Sequence, residues 1–153
     1  MEIVVNEWLL DYMRLGVDFE KTSKAIKFLN ALVKKCDKIV VKRQSPFVNK
    51  FYRYFEESNQ DTKCKELFKK LNLLLFHNSD KTIIVDDVDI NKLPKEIDEI
   101  LPADDKDRYL IELGYSSSDK IILTTDQRLK EKLQLKSELK IYLFEEFLES
   151  YLS

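Results

Sequence analysis

The chain predicts an α/β fold: a single three-layer domain, residues 1–153, with a mainly parallel central sheet of about five strands flanked by helices. Three observations carry that reading. Short β-branched runs alternate with segments of helical period along the whole sequence. At 153 residues and 44% hydrophobic composition, the chain suits one domain with a substantial core. With 2 glycines and 3 prolines, it lacks the turn residues that a many-stranded barrel or sandwich needs.

Each element has its own signal. Residues 2–6 (EIVVN) form an apolar run short enough for a buried strand. Trp8, Leu9, Tyr12 and Met13 then recur at helical spacing, in a short helix that Gly16 can close. Residues 19–36 predict an amphipathic helix, with Ala25, Ile26, Leu29, Leu32 and Val33 on its apolar side. Residues 38–41 (KIVV) are a second strand. Ser45-Pro46 marks the next helix start, because serine caps and proline suits the first helical position. That helix carries Phe47, Phe51, Tyr54 and Phe55 on one side.

Residues 62–76 predict a helix that is basic on one side and leucine-rich on the other. Residues 81–85 (KTIIV) are the third strand, followed by Asp86, Asp87 and Asp89. A proline-bounded connection, from Leu93-Pro94 to Leu101-Pro102, leads to a helix over 104–115 with acids in its first turn. Residues 120–123 (KIIL) are the fourth strand and run directly into Thr124-Thr125-Asp126. A short helix over 127–135, a fifth strand over 139–143 and a last helix over 144–152 complete the chain.

Composition excludes several chemistries. Gly16 and Gly114 lie too far apart for a glycine-cradled phosphate loop. Cys36, Cys64 and the one histidine, His77, cannot furnish a disulfide framework or a four-ligand zinc site, so the cysteines read as packing residues. Neither Ser116-Ser117-Ser118 nor His77 forms a nucleophile–base pair. The start MEIVVNEWLL lacks a basic leader and a cleavage site, and no apolar run approaches the ~20 residues that span a bilayer. The expectation is a cytoplasmic protein with no membrane partner.

In a parallel sheet the functional crevice lies at the carboxyl ends of the strands. Asn6 and Glu7 follow the first strand, Lys42 and Arg43 the second, Asp86 and Asp87 the third, and Asp126 the fourth. The helix feeding the fourth strand opens with Asp104, Asp105 and Asp107. Crowded carboxylates repel unless a cation neutralises them, and an all-oxygen ligand set suits Mg²⁺ or Mn²⁺. Such an ion can activate water and hold a phosphodiester, which points to metal-assisted hydrolysis of nucleic acid. Each acid also has a plainer reading, as a helix N-cap or a solvated turn.

Residues 103–133, ADDKDRYLIELGYSSSDKIILTTDQRLKEKL, resemble the C-terminal half of the PIN-domain nucleases. There an acidic residue opens a helix, and the next strand ends in a threonine–aspartate element before a short helix. Asp107 matches the helix aspartate, Asp126 the strand-end aspartate, Thr125 the hydroxyl beside it, and Asp104 an additional acid. The start IVVNEWLL resembles the family's first strand, with Asn6 where the family has aspartate and Glu7 and Trp8 in the next two positions. The family's glutamate after the second strand has no counterpart; Gln44 and Ser45 stand there, and the next acid is Glu56.

The resemblance implies a single PIN-like domain acting as a divalent-metal-dependent ribonuclease. Asp107, Asp126 and Asp104 would be catalytic, and Asp107, Asp126, Asn6 and Glu7 would hold Mg²⁺ or Mn²⁺. Lys42, Arg43 and Thr125 would bind nucleic acid. The alternative is a catalytically degenerate PIN-like domain that binds RNA or a protein. A protein inhibitor or antitoxin, as in toxin–antitoxin pairs, and a homodimer are the further partners this family suggests.

Charge adds a separate signal. Residues 1–75 hold 15 Lys+Arg and 10 Asp+Glu, whereas residues 76–153 hold 11 and 18. A cationic half beside an acidic half can pair a phosphate-binding wall with a metal pocket. Phe47, Phe51, Tyr52 and Tyr54 follow the basic stretch and would either stack on bases or, sharing helical spacing, pack as core.

Overall fold

The structure, a computed structural model, describes all residues 1–153. Five strands build the sheet: β1 (Glu2–Val5), β2 (Lys38–Lys42), β3 (Thr82–Val85), β4 (Ile121–Thr124) and β5 (Lys140–Leu143). Their order is β3-β2-β1-β4-β5, and every neighbouring pair runs parallel. Eight helices connect and cover them: α1 (Trp8–Met13), α2 (Phe19–Lys34), α3 (Pro46–Glu57), α4 (Thr62–Phe76), α5 (Lys95–Ile100), α6 (Arg108–Ser116), α7 (Gln127–Leu133) and α8 (Phe144–Tyr151).

The period-2 alternation of the strands divides the core into two. Ile3, Val5, Ile39, Val41, Ile121 and Leu123 face the layer made by α1, α2, α3, α4 and α8. Val4, Val40, Ile122 and Ile141 face α5, α6 and α7. Both faces are therefore apolar, as a covered parallel sheet requires. Burying each such aliphatic side chain contributes about 1.5–3 kcal/mol, set against the entropy of ordering it.

Trp8 fastens the first layer to the sheet. It is 5% exposed, stacks on Phe144 with ring centroids 4.2 Å apart, and donates its indole N–H to the Leu123 carbonyl at 2.8 Å. Phe47, Phe51 and Tyr54 are buried, which makes that stripe core; Tyr52 alone among these aromatics is well exposed.

Four local readings change. The proline-bounded connection contains α5, whose Ile97 is buried beside Leu101. The helix expected from residue 104 begins at Arg108, because the Asp105 side chain accepts the Asp107 N–H at 2.8 Å and holds the chain in a turn. The cysteines are not both packing residues: Cys36 is exposed and Cys64 half-buried. Finally, Cys36 has φ 60° and ends α2 in a Schellman arrangement, with Asp37 N–H on Leu32 O at 3.1 Å and Cys36 N–H on Val33 O at 3.3 Å. No helix is long and apolar enough to cross a membrane.

Candidate metal centre

The strand order locates the crevice before any side chain is considered. From β1 the chain builds outward through β2 and β3, then returns to the other side of β1 for β4 and β5. The direction reverses between β1 and β4, and ligands of open α/β sheets bind at that reversal, beyond the carboxyl ends. Val5 pairs with Leu123, so the loops opening there are those of Asn6-Glu7 and Thr125-Asp126.

The Asp126 carboxylate is half-buried and caps α7, its Oδ1 accepting the Arg128 N–H at 3.0 Å and the Leu129 N–H at 3.2 Å. The Asp126 N–H donates in turn to Thr124 Oγ1 at 3.0 Å. The hydroxyl that fixes this turn is thus that of the fully buried Thr124, while Thr125 is exposed. Asp107 occupies the N-cap position of α6, yet its side chain makes no capping bond and its carboxylate is left free of that duty.

Asp107 is held in its neutral form more readily than an ordinary carboxyl. Burial is the largest cause of its raised pKa; Lys106 opposes the shift, and the carboxylates of Asp105, Asp126 and Glu7 add to it. Residues from three separate chain segments therefore act on one another across the reversal point. Asp104 is exposed, and Asp105 is the nearer of the two acids to bear on Asp107. Asp105 also faces Lys132, whose Nζ lies 4.0 Å away.

The Glu7 side of the crevice carries a cation that the sequence did not place there. Lys50, from α3, sets its Nζ 3.5 Å from Glu7 and 3.3 Å from Asp11, and Tyr54 donates its hydroxyl to Asp11 at 2.8 Å. Burial alone would lower the Lys50 pKa, but Asp11 and Glu7 outweigh it and the net shift is upward. Asn6 turns inward on its own loop, its Oδ1 accepting the Glu7 N–H at 2.7 Å.

Tyr109, in the first turn of α6, completes the surroundings. It is 9% exposed, and its hydroxyl is buried with no hydrogen-bond partner. Its pKa is raised by burial first, then by Glu7 and Asp107.

Lys42 and Arg43 stand at the same sheet edge but are committed to the acids after β3. Lys42 Nζ lies 2.8 Å from Asp87, and Arg43 Nε 2.7 Å from Asp86. No three His, Cys, Asp or Glu side chains converge closely enough to ligate one ion. The donor types alone suit a hard divalent cation: Glu7, Asp107, Asp126 and the Asn6 amide offer oxygen only, although they are not gathered to ligate one. Burial is the main cause of the raised Asp107 pKa; a cation would offset only the smaller share that Asp105, Asp126 and Glu7 add.

Tyr109 and Lys50 are residues at this edge that sequence reading did not single out. Tyr109 fits the apolar face of α6, and Lys50 one basic run among several; only the packing of α6 and α3 at the strand ends reveals them. A scan against protein-family models, a search of curated proteins and a search of solved structures each return no match to this chain.

Proposed function

We propose that the protein is a PIN-type ribonuclease, dependent on a divalent metal, that hydrolyses RNA phosphodiester bonds in the cytoplasm. The observation that supports this reading best is that the carboxyl ends of β1 and β4 lie side by side at the sheet's reversal point, with Asn6 and Glu7 on one following loop and Asp126 on the other. Mg²⁺ or Mn²⁺ bound there would supply Lewis acidity toward the phosphodiester and a nucleophile from water.

The chain's own residues supply the rest. Asp107 and Asp126 would hold the cation, Glu7 and the Asn6 amide would complete the oxygen set, and Asp105 with Asp104 would add negative charge at the rim. Thr124 and the α7 backbone keep the Asp126 carboxylate in one orientation. Lys42 and Arg43 meet RNA phosphate by exchanging Asp87 and Asp86 for it, which makes RNA binding weaken as salt rises.

The second reading, a degenerate domain that binds RNA or a protein without cleaving, draws on Lys50. Its ammonium already neutralises Glu7 and Asp11, and Asn6 brings no charge.

One experiment separates the two. The melting temperature is measured in EDTA and in millimolar Mn²⁺, beside cleavage of a labelled RNA pool, for the wild type and Asp126→Asn. Asparagine still caps α7, so this variant keeps its fold while losing the charge. The expected result is a rise in melting temperature with Mn²⁺ and RNA cleavage in the wild type, both lost in the variant. A wild type that Mn²⁺ neither stabilises nor activates overturns the nuclease reading and leaves the binding module.

A further inference from the structure

At the carboxyl edge the cations named above are already spent. Lys42 pairs with Asp87, Arg43 with Asp86, and Lys50 with Glu7 and Asp11. The opposite edge of the sheet differs. There α2 ends at Lys34, the chain turns through Cys36, and β2 begins at Lys38. A hollow of about 400 Å³ opens between the last turns of α2 and α8, lined chiefly by Lys27, Asn30, Lys34, Lys35, Tyr151 and Leu152; no carboxylate lines it.

Contacts bring further positive charge to the same place. Lys35 sets its Nζ 4.5 Å from the centre of the Tyr151 ring. Lys81 donates from Nζ to the Val33 carbonyl, in the last turn of α2, at 3.0 Å. Ile39 pairs with Thr82, which sets Lys38 beside Lys81 where the two strands start. The acids of this edge are mostly committed. Asp37 is buried and holds the Met1 ammonium and the Tyr151 hydroxyl. Glu2, in register with Lys38, turns its carboxylate to the backbone N–H and hydroxyl of Ser118. The exposed Asp80 is left to answer Lys27, Lys34, Lys35, Lys38 and Lys81.

A helix C-terminus favours cations, but only within its last turn. Lys27 stands about two turns earlier in α2, and Lys38 and Lys81 stand at strand starts. Ammonium groups gathered without counter-charge repel one another, and a polyanion relieves that repulsion while shedding its own counterions.

We propose that the lysine hollow at the end of α2 binds the phosphate backbone of an RNA chain, as a second contact remote from the carboxyl edge. The proposal rests on the RNA reading above and adds a place where phosphate meets cations that no carboxylate must first release. Lys27 and Lys34 lie about 10 Å apart along α2, a span longer than that between neighbouring phosphates of a strand.

The test is the binding of a labelled oligouridine in EDTA, where no metal-dependent cleavage occurs, followed by fluorescence anisotropy across a salt series. The wild type is compared with the triple variant Lys27→Gln, Lys34→Gln, Lys35→Gln. A control, Lys92→Gln, Lys95→Gln, Lys136→Gln, removes the same charge from exposed positions elsewhere. At about 50 mM salt the α2 variant is expected to bind about tenfold more weakly, and the slope of log affinity against log salt is expected to flatten by about two. The control is expected to bind as the wild type does. An α2 variant with unchanged affinity and slope overturns the site and leaves the nuclease reading standing. A control that loses as much as the α2 variant overturns it too, because net charge alone is then at work. Polyglutamate that displaces the RNA at equal charge concentration overturns RNA as the occupant and marks an acidic protein instead. A wild type that binds no RNA overturns the site, and the nuclease reading then stands or falls on the Mn²⁺ cleavage measurement alone.

Discussion

Asp107 shows how a single carboxyl can oppose the fold that carries it. Its pKa is raised in the folded protein, so folding favours its protonated form. At neutral pH the charged carboxylate is a liability, held near Asp105, Asp126 and Glu7 with only Lys106 in partial compensation. The liability disappears as pH falls through the raised pKa and the group takes up its proton. Asp107→Asn is therefore expected to raise the melting temperature of the metal-free protein at pH 7, with the gain shrinking toward pH 4. A melting series in EDTA checks this, and a gain independent of pH contradicts it. The same residue shows the limit of sequence reading. That Asp107 and Asp126 come to the same edge of the sheet was legible from the helix–strand–aspartate spacing. That Lys50 pairs with Glu7 was not, because the contact crosses from α3 to the end of β1 and leaves no local pattern.

At the level of elements, helix ends carry the clearest local physics. Ser45, Asp61, Asp18 and Asp126 each cap a helix through a side-chain oxygen, as their residue types favour. The end of α2 instead places Cys36 at a position that suits glycine, with φ 60°. Cys36→Gly is expected to stabilise the protein by about 0.5–1 kcal/mol, read as a higher urea midpoint with an unchanged slope. Gly114, inside α6, has the opposite constraint. A Cβ there would stand 2.8 Å from both Ile122 Cδ1 and Leu139 Cδ2, so the ends of these buried side chains would have to shift to admit any larger residue. Gly114→Val is expected to lower stability by roughly 2–3 kcal/mol or more through overpacking, measured by the same denaturation. The elements themselves were largely legible, since each strand and long helix announces its period. Their ends were less so: α6 starts four residues later than its acidic run suggests, because Asp105 captures the backbone first, and α5 is too short to show a period.

For the molecule as a whole, the division of charge follows the layers. The basic half of the sequence supplies α1 to α4 on one face of the sheet; the acidic half supplies α5 to α7 on the other and sends only α8, with Glu145, Glu146 and Glu149, back to the first. The candidate centre sits where the two halves meet, at the reversal between β1 and β4. The alternation of periods made the parallel sheet legible, but no local signal fixes strand order. It is the order that sets the loop of Glu7 next to the loop of Asp126; the carboxyl edge was readable from the sequence, and their adjacency along it was not.

The position of β1 at the centre also has a consequence in time. A nascent chain that has emerged only as far as β3 can assemble three strands over α1 to α4, yet the inner edge of β1 stays open until residues 121–124 leave the ribosome. Throughout that interval the unpaired amides of a strand that is apolar from Ile3 to Val5 can recruit a strand from another nascent chain. Aggregation is thus a hazard of this protein's synthesis, and it ends once β4 has docked.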